Sequence, residues 1–195
     1  MALHLQVLHP ESALDRHRCA ELYLHSPRFA LGLRRQLTSA ERGIQALIEC
    51  PEGIAPDRAL SVGLMLGDEM VGLAKVYVAH PDASRATLGL LLVDERYQRR
   101  HIGSQAVEAL SRKARQWPGV QRWTLHARDD DPVAIRFWRS CGFETLQPGC
   151  LLQGFGGTFS LMERAIKCKR RGQRDPASGR ATGQPDHPFR PFVGR

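Results

Sequence analysis

No stretch of the sequence approaches the roughly 18 consecutive apolar residues that a membrane helix needs, so no span is expected. Structural disulfides and metals are also poorly provided for. The five cysteines, Cys19, Cys50, Cys141, Cys150 and Cys168, are odd in number and irregular in spacing. None pairs as CxxC, which argues against a disulfide framework or a zinc knuckle. The eight histidines contain no HExxH and no pair at helical spacing, so no metal site is expected. The first ten residues have no basic patch ahead of their apolar positions, and His4, His9 and Pro10 interrupt them. They do not read as a secretory signal, and a cytoplasmic location is expected. What remains is ordinary: 195 residues, 42% apolar and 25% charged, enough for one domain and a tail. Wholesale disorder and fibrous repeats are excluded.

Positive charge is the one unusual quantity, and it is unevenly distributed. The chain carries a formal +8. From Arg164 to Arg195 nine basic residues face Asp175 and Asp186, a net of +7. Beyond Lys167 the chain reads KCKRRGQRDPASGRATGQPDHPFRPFVGR, with almost nothing apolar before Phe189. Such a segment cannot bury enough surface to offset its ordering entropy. The expected division is a folded domain over 1–166 and a solvated, disordered basic tail over 167–195. The same charge leaves open an arm that touches RNA, DNA or another polyanion, although KCKRR has no interleaved aromatics.

The body alternates elements. Leu3, Leu5 and Val7 predict a first strand. Ser12 can cap a helix with Leu14, Cys19, Leu22 and Tyr23 on its apolar side. A basic stretch with Arg28, Arg34 and Arg35 follows. Thr38 or Ser39 can then cap a second helix through Ile44, Leu47 and Ile48, with Glu41 placed for a capping box. Ala59 to Leu66 and Met70 to Ala79 read as a hairpin turned at Gly67-Asp68. Ala86 to Val93 is a nearly continuous apolar run, which predicts a strand covered on both faces, and Gly89 inside it signals a bulge. A helix follows from Ile102 to Trp117, then a strand from Val120 to Ala127. A helix started by Asp131-Pro132 ends at Gly142. Two strands, Phe143 to Leu151 and Gly157 to Glu163, close the domain. The fold class is mixed α/β: a central sheet of six to seven strands flanked by about four helices, with a locally parallel pair at its centre.

The most informative stretch is LLVDERYQRRHIGSQAVEAL, residues 91–110. A strand runs into a loop with Arg96, Gln98, Arg99 and Arg100, which turns at Gly103 into a helix. A helix N-terminus offers unpaired N–H groups and partial positive charge, and a residue without a side chain lets a ligand approach the backbone. These are the physics of a pyrophosphate site.

This stretch resembles the acyl-CoA signature of the GNAT superfamily of N-acetyltransferases, Q/R-x-x-G-x-G/A after a V-x-P-x-Y-like strand end. Here it reads Val93, Asp94, Glu95, Arg96, Tyr97 and then Gln98 to Ser104. A second block, Asp131-x-x-Ala134-Ile135-x-Phe137-Trp138-x-x-x-Gly142-Phe143, is similar to the family's N-x-x-A-x-x-F-Y-x-x-x-G-F. The resemblance implies a sheet that splays between its fourth and fifth strands and holds acetyl-CoA in the V. The backbone of Leu92 and Val93 would serve the pantetheine. Gln98, Arg99, Arg100, His101, Ile102, Gly103 and Ser104 would hold the pyrophosphate. No metal is implied.

Three departures alter that expectation. His101 stands where the first glycine is usual, and a histidine tolerates positive φ at modest cost. Asp131 replaces Asn and suits the helix cap, with pantetheine contact as its other expected role. Trp138 replaces a Tyr that acts as acid in relatives, and an indole is not a usable acid; it is expected to pack beside the cofactor. The fourth strand carries no carboxylate, so the general base is sought among His126, Asp94, Glu95 and His80, with His126 favoured. The acceptor expected is a small-molecule or peptide amine, shaped by the basic loop around Arg28, Arg34 and Arg35. No membrane partner is expected, and self-association as a homodimer fits the reading. A CoA-binding module without turnover and a nucleic-acid-associated protein stay open as other classes.

Overall fold

The computed structural model describes residues 2–27, 29 and 38–166. The expectations for the basic stretch with Arg28, Arg34 and Arg35, and for the tail 167–195, lie outside the described residues. Strand β1, Leu3–Val7, leads into helix α1, Ala13–Leu24, whose first turn is capped by Ser12 accepting from the Asp15 amide at 3.2 Å. Cys19, Leu22 and Tyr23 form the buried side of α1. Leu14 does not join them; it sits in the first turn, off that stripe, and stays exposed. Helix α2, Ser39–Ile48, starts in a complete capping box: Thr38 Oγ1 accepts from the Glu41 amide while the Glu41 carboxylate accepts from the Thr38 amide. Leu47 is its buried anchor, whereas Ile48, its last residue, points to solvent.

The remaining elements are β2 (Ala59–Leu66), β3 (Glu69–Val78), β4 (Arg85–Val93), α3 (Ile102–Ala114), β5 (Arg122–Arg128), α4 (Pro132–Ser140), β6 (Glu144–Cys150) and β7 (Phe159–Ala165). They form one seven-stranded sheet in the order β1-β2-β3-β4-β5-β7-β6. Every pairing is antiparallel except β4 with β5. A parallel neighbour needs a crossover, and α3 supplies it. One apolar cluster joins Val76, Leu88, Leu125 and Met162 to Val107 and Leu110 of α3. On the opposite face Leu73, Leu90 and Leu92 pack against Cys19, Leu22 and Tyr23 of α1 and Leu47 of α2.

Two irregularities in β4 shape everything that follows. The first is a bulge: Lys75 lies opposite Leu90 and Val76 opposite Leu88, so Gly89 is the extra residue. A side chain there would collide with the Tyr77 ring, which lies over the glycine. An inserted residue reverses the in-out alternation of a strand. Leu88 therefore packs with α3, and so do Leu91 and Val93 beyond the bulge, while Leu90 and Leu92 turn to the α1–α2 face. The second is the short partnership with β5, which pairs only Arg85, Ala86 and Thr87 with Arg122, Trp123 and Thr124. Beyond Thr87 the edge of β4 facing β5 is uncovered. Leu90, Leu91 and Val93 are half-buried, as are Arg85 and Thr87, so the strand is not covered on both faces as expected; Ala86, Leu88 and Leu92 are its buried residues.

The paired end is tied by polar groups. Thr87 and Thr124 share a hydroxyl hydrogen bond of 2.9 Å. The buried Glu163 of β7 accepts from Arg85 Nε at 3.0 Å and from Arg122 Nη1 at 2.5 Å, bridging two arginines that face each other in register, and Arg85 Nη1 also donates to Asp82 Oδ2 at 2.6 Å. On the α1–α2 face the buried Lys75 donates to the Ala46 and Leu47 carbonyls and to Ser61 Oγ at 3.0–3.2 Å. It thereby satisfies the Ala46 carbonyl at the C-terminal end of α2 and joins Ser61 Oγ, at 3.1 Å, as a donor to that of Leu47. Among the described residues no helix is long and apolar enough to cross a membrane, and no group of three or more His, Cys, Asp or Glu could hold a metal ion.

Candidate functional site

A cleft of about 660 Å³ opens where β4 and β5 separate, between the uncovered half of β4 and the facing ends of α3 and α4. Its floor is Leu91 and Val93. Leu92, whose backbone the resemblance offers to the pantetheine beside that of Val93, is 4% exposed and packs against α1 and α2, and its backbone faces Leu73 of β3 rather than the open edge. The bulge at Gly89 is the cause, because it shifts the alternation by one residue. The backbone follows the same rule. The Asp94 amide donates to the Val71 carbonyl of β3 at 3.0 Å. In an antiparallel ladder the neighbouring residue's N–H and C=O then point the other way, so Val93 offers its polar groups to the open edge. The Val93 carbonyl accepts from Gln98 Nε2 at 3.0 Å and keeps a second lone pair.

One wall is the loop 98–104. Gln98, Arg99, His101, Ile102, Gly103 and Ser104 all line the cleft, as the motif predicts. Arg99 and His101 both hold φ near 61°, and His101 is the N-cap of α3, where no side chain caps the helix. The left-handed conformation anticipated for His101 is present, and Arg99 shares it. The Ser104 hydroxyl donates to the His101 carbonyl at 2.9 Å and so leaves the first-turn amides uncovered. A helix that begins without a capping side chain presents those amides and its positive end to whatever occupies the cleft. Arg100 does not line the cleft; its guanidinium lies 5.5 Å from the centre of the Tyr97 ring.

The other wall is α4. Asp131 Oδ1 accepts from the Val133 and Ala134 amides at 3.1 and 2.9 Å, so Asp131 is the cap expected and lines the cleft as well. Val133, Ala134, Phe137 and Ser140 line it too. Trp138 does not. It packs edge-on against Phe137 and Phe143, with ring centroids 4.8 and 5.5 Å apart, and supports the cleft wall from behind. Successive helical residues lie about 100° apart, so only one of two adjacent aromatics can face the cleft. The i, i+4, i+7 stripe of Val133, Phe137 and Ser140 was the sequence signal that would have found this wall. Gly103 makes a close helix–helix approach: a Cβ there would stand 3.0 Å from Phe137 Cζ.

The structure separates the base candidates. Asp94 is wholly buried and fully engaged: it accepts from the Arg96 amide at 2.8 Å, from Arg96 Nε at 3.1 Å and from Arg96 Nη2 at 2.7 Å. Burial pulls its pKa up, but the hydrogen bonds from the Arg96 side chain and backbone outweigh it and hold the carboxyl below the usual range. An ionised, saturated carboxylate is a structural tie and a poor proton acceptor. Glu95 heads the single 3₁₀ turn Glu95–Tyr97, half-buried and outside the cleft lining. His80 lies 6.3 Å from Tyr77, centroid to centroid, beyond the closed end. His126 lies on β5 two residues past the last β4 pair, in register with Leu161 of β7. Although it is exposed, the protein around its ring withdraws enough water to lower its pKa from the ordinary histidine value. It shares the α1–α2 side of the strand with Thr124, opposite the apolar face of Trp123, Leu125 and Ala127.

The model of the GNAT acetyltransferase family matches residues 20–143, a span that includes β4, the loop and α4. The chain belongs to this family. No curated protein sequence matches it. Among solved structures, an acetyltransferase from Thermus thermophilus aligns with a TM-score of 0.67 at 28% identity, over 85% of this chain and 97% of that one. RimL, a ribosomal L7/L12 alpha-N-protein acetyltransferase in complex with coenzyme A, has the same TM-score at 18% identity, over 85% and 95%. The ribosomal-protein-S18-alanine N-acetyltransferase from Escherichia coli aligns at 0.58 and 18%, over 89% and 99%. At such identities the last two speak for the fold: a GNAT sheet with its V.

Proposed function

We propose that the chain is an acetyl-CoA-dependent N-acetyltransferase whose acceptor is a primary amine. The observation that carries this reading is one cleft in which the uncapped start of α3, two left-handed loop residues and the open edge of β4 converge. The first-turn amides of α3, with Arg99 and His101 beside them, suit a pyrophosphate. The Val93 backbone suits an extended amide chain that adds to β4 as a strand would, and Leu91 and Phe137 give that chain an apolar bed. Acetyl-CoA, when bound, supplies the acetyl group as a thioester.

An amine acceptor is mostly protonated near pH 7 and must lose a proton before it can attack. His126 is the side chain we assign to accept it. Its lowered pKa keeps the imidazole neutral at that pH. Two of the solved structures named above are by their own descriptions an alpha-N-protein and an alanine N-acetyltransferase, which supports the amine class. Trp138 acts indirectly, by fixing Phe137.

The test is stability against ligand. A ligand that binds only the folded state stabilises it by about 2.7 kcal/mol at 100 times its Kd. Saturating acetyl-CoA or CoA is expected to raise Tm, and a panel of small amines and N-terminal peptides is expected to reveal thiol release. An unmoved Tm overturns the reading. A raised Tm with no thiol release from any amine would make the protein a CoA-binding module.

A further inference from the structure

We propose that Asp94, Arg96 and Glu69 are positioning residues that brace the CoA-binding loop from outside the cleft. This rests on the CoA reading above for its ligand, but its geometry stands alone. Two non-glycine residues at positive φ within three positions, Arg99 and His101, make loop 98–101 a strained conformation. Such strain persists only where the surroundings over-determine it.

The bracing runs through a continuous set of contacts. Tyr97, which lines the cleft, donates its hydroxyl to Glu69 Oε2 at 2.7 Å. The other Glu69 oxygen lies 3.6 Å from Arg96 Nη2. Arg96 grips the buried Asp94 with Nε and Nη2. Asp94 in turn lies 3.5 Å from His25 Nδ1, and the Glu95 amide donates to the His25 carbonyl at 3.4 Å, just past α1. The Tyr97 ring has the Arg96 and Arg100 guanidiniums 5.8 and 5.5 Å from its centroid. The loop is thereby tied to the β2–β3 hairpin through Glu69 and to the end of α1 through His25. Neither Asp94, Arg96 nor Glu69 lines the cleft.

The sign of the effect distinguishes bracing from simple electrostatics. Glu69 and Asp94 are anions beside a site for an anionic ligand. If only charge mattered, Glu69→Gln and Asp94→Asn would tighten CoA binding. Bracing demands the opposite: each variant is expected to weaken CoA by about tenfold, since a loop displaced by an ångström or less costs that much. The double variant should cost little more than the worse single one, because both act on one linked unit. A second readout needs no ligand. Limited trypsin digestion should cut after Arg99 and Arg100 several-fold faster in either variant, with other sites unchanged and Tm within a few degrees of wild type. Glu69 is half-exposed, so Glu69→Gln keeps the test available if Asp94→Asn does not fold. Equal or tighter CoA binding with unchanged loop cleavage, in folded variants, overturns the proposal. If wild type fails to bind CoA, the function above falls, while the cleavage pattern still decides the brace.

Discussion

The two ends of the β4–β5 pair are built on opposite principles. At the closed end three residue pairs remain in register, the facing threonines share a hydrogen bond, and a buried glutamate bridges two arginines. At the open end the same two strands have no bonds to each other, and the exposed edge is apolar and unpaired. The closed end spends charge and hydrogen bonds on holding two strands together. The open end keeps its backbone groups for a ligand. Cleft geometry is therefore set by where the pairing stops, and Glu163 stands at that point.

The largest expected effect comes from breaking the closed end. Glu163→Gln leaves Arg122 without its carboxylate and Arg85 with Asp82 alone, and weakens two charge-assisted hydrogen bonds at a buried acceptor, expected to cost about 3 kcal/mol in urea unfolding. A cost below about 1 kcal/mol would mean that backbone pairing alone holds the V shut there. Next is His126, just beyond the last pair. His126→Ala is expected to lower kcat/KM for the best amine by about 100-fold, as loss of a general base does. In wild type the lowered pKa keeps the ring neutral to lower pH than usual, so the rate should fall only as pH drops below about 6.5, the free histidine value. The variant should lack that limb, and an unchanged profile would remove His126 from the reaction.

Open-end geometry is tested by Gly103→Val. The added branch meets Phe137 and the ligand-facing backbone together. One charge-assisted hydrogen bond lost, about 1.5–3 kcal/mol, predicts roughly 10- to 100-fold weaker CoA by calorimetry. Unchanged affinity would move the pyrophosphate elsewhere. Smallest is deletion of residues 167–195, expected to shift stability by less than about 0.5 kcal/mol and CoA affinity not at all. A larger loss would show that Phe189, Phe192 and Val193 dock on the domain.

Local signals made much of this readable in the sequence. Strand β1, the capping box at Thr38, the hairpin at Gly67 and the start of α3 all rest on interactions within a few residues, and each appears where the spacing predicts. The Gly89 bulge was legible too, but its consequence was not. Knowing that Leu91, and not Leu92, faces the cleft beside Val93 requires knowing that the alternation has shifted by one residue. Phe137 and Trp138 are neighbours with similar chemistry; the helical stripe of Val133, Phe137 and Ser140 picks out Phe137 as the one that faces the cleft, and Trp138 packs on Phe143. Asp94 is one of the four base candidates that the sequence offers, with Glu95, His80 and the favoured His126. Its saturation by Arg96, two residues away, is a matter of side-chain geometry that no spacing announces.

Lys75 has a consequence for a protein that handles an activated acyl group. Such a protein risks modifying its own amines. This chain has 24 arginines but only four lysines, Lys75, Lys113, Lys167 and Lys169, so it offers its donor few primary amines. Lys75 is on the α1–α2 face of the sheet, in register with Leu90 beside the β4 bulge. Burial lowers its pKa and would favour the reactive free amine. Yet its three contacts with the Ala46 and Leu47 carbonyls and Ser61 occupy the nitrogen and seal it beneath α2. While that helix stays folded, this amine is shielded from self-acylation.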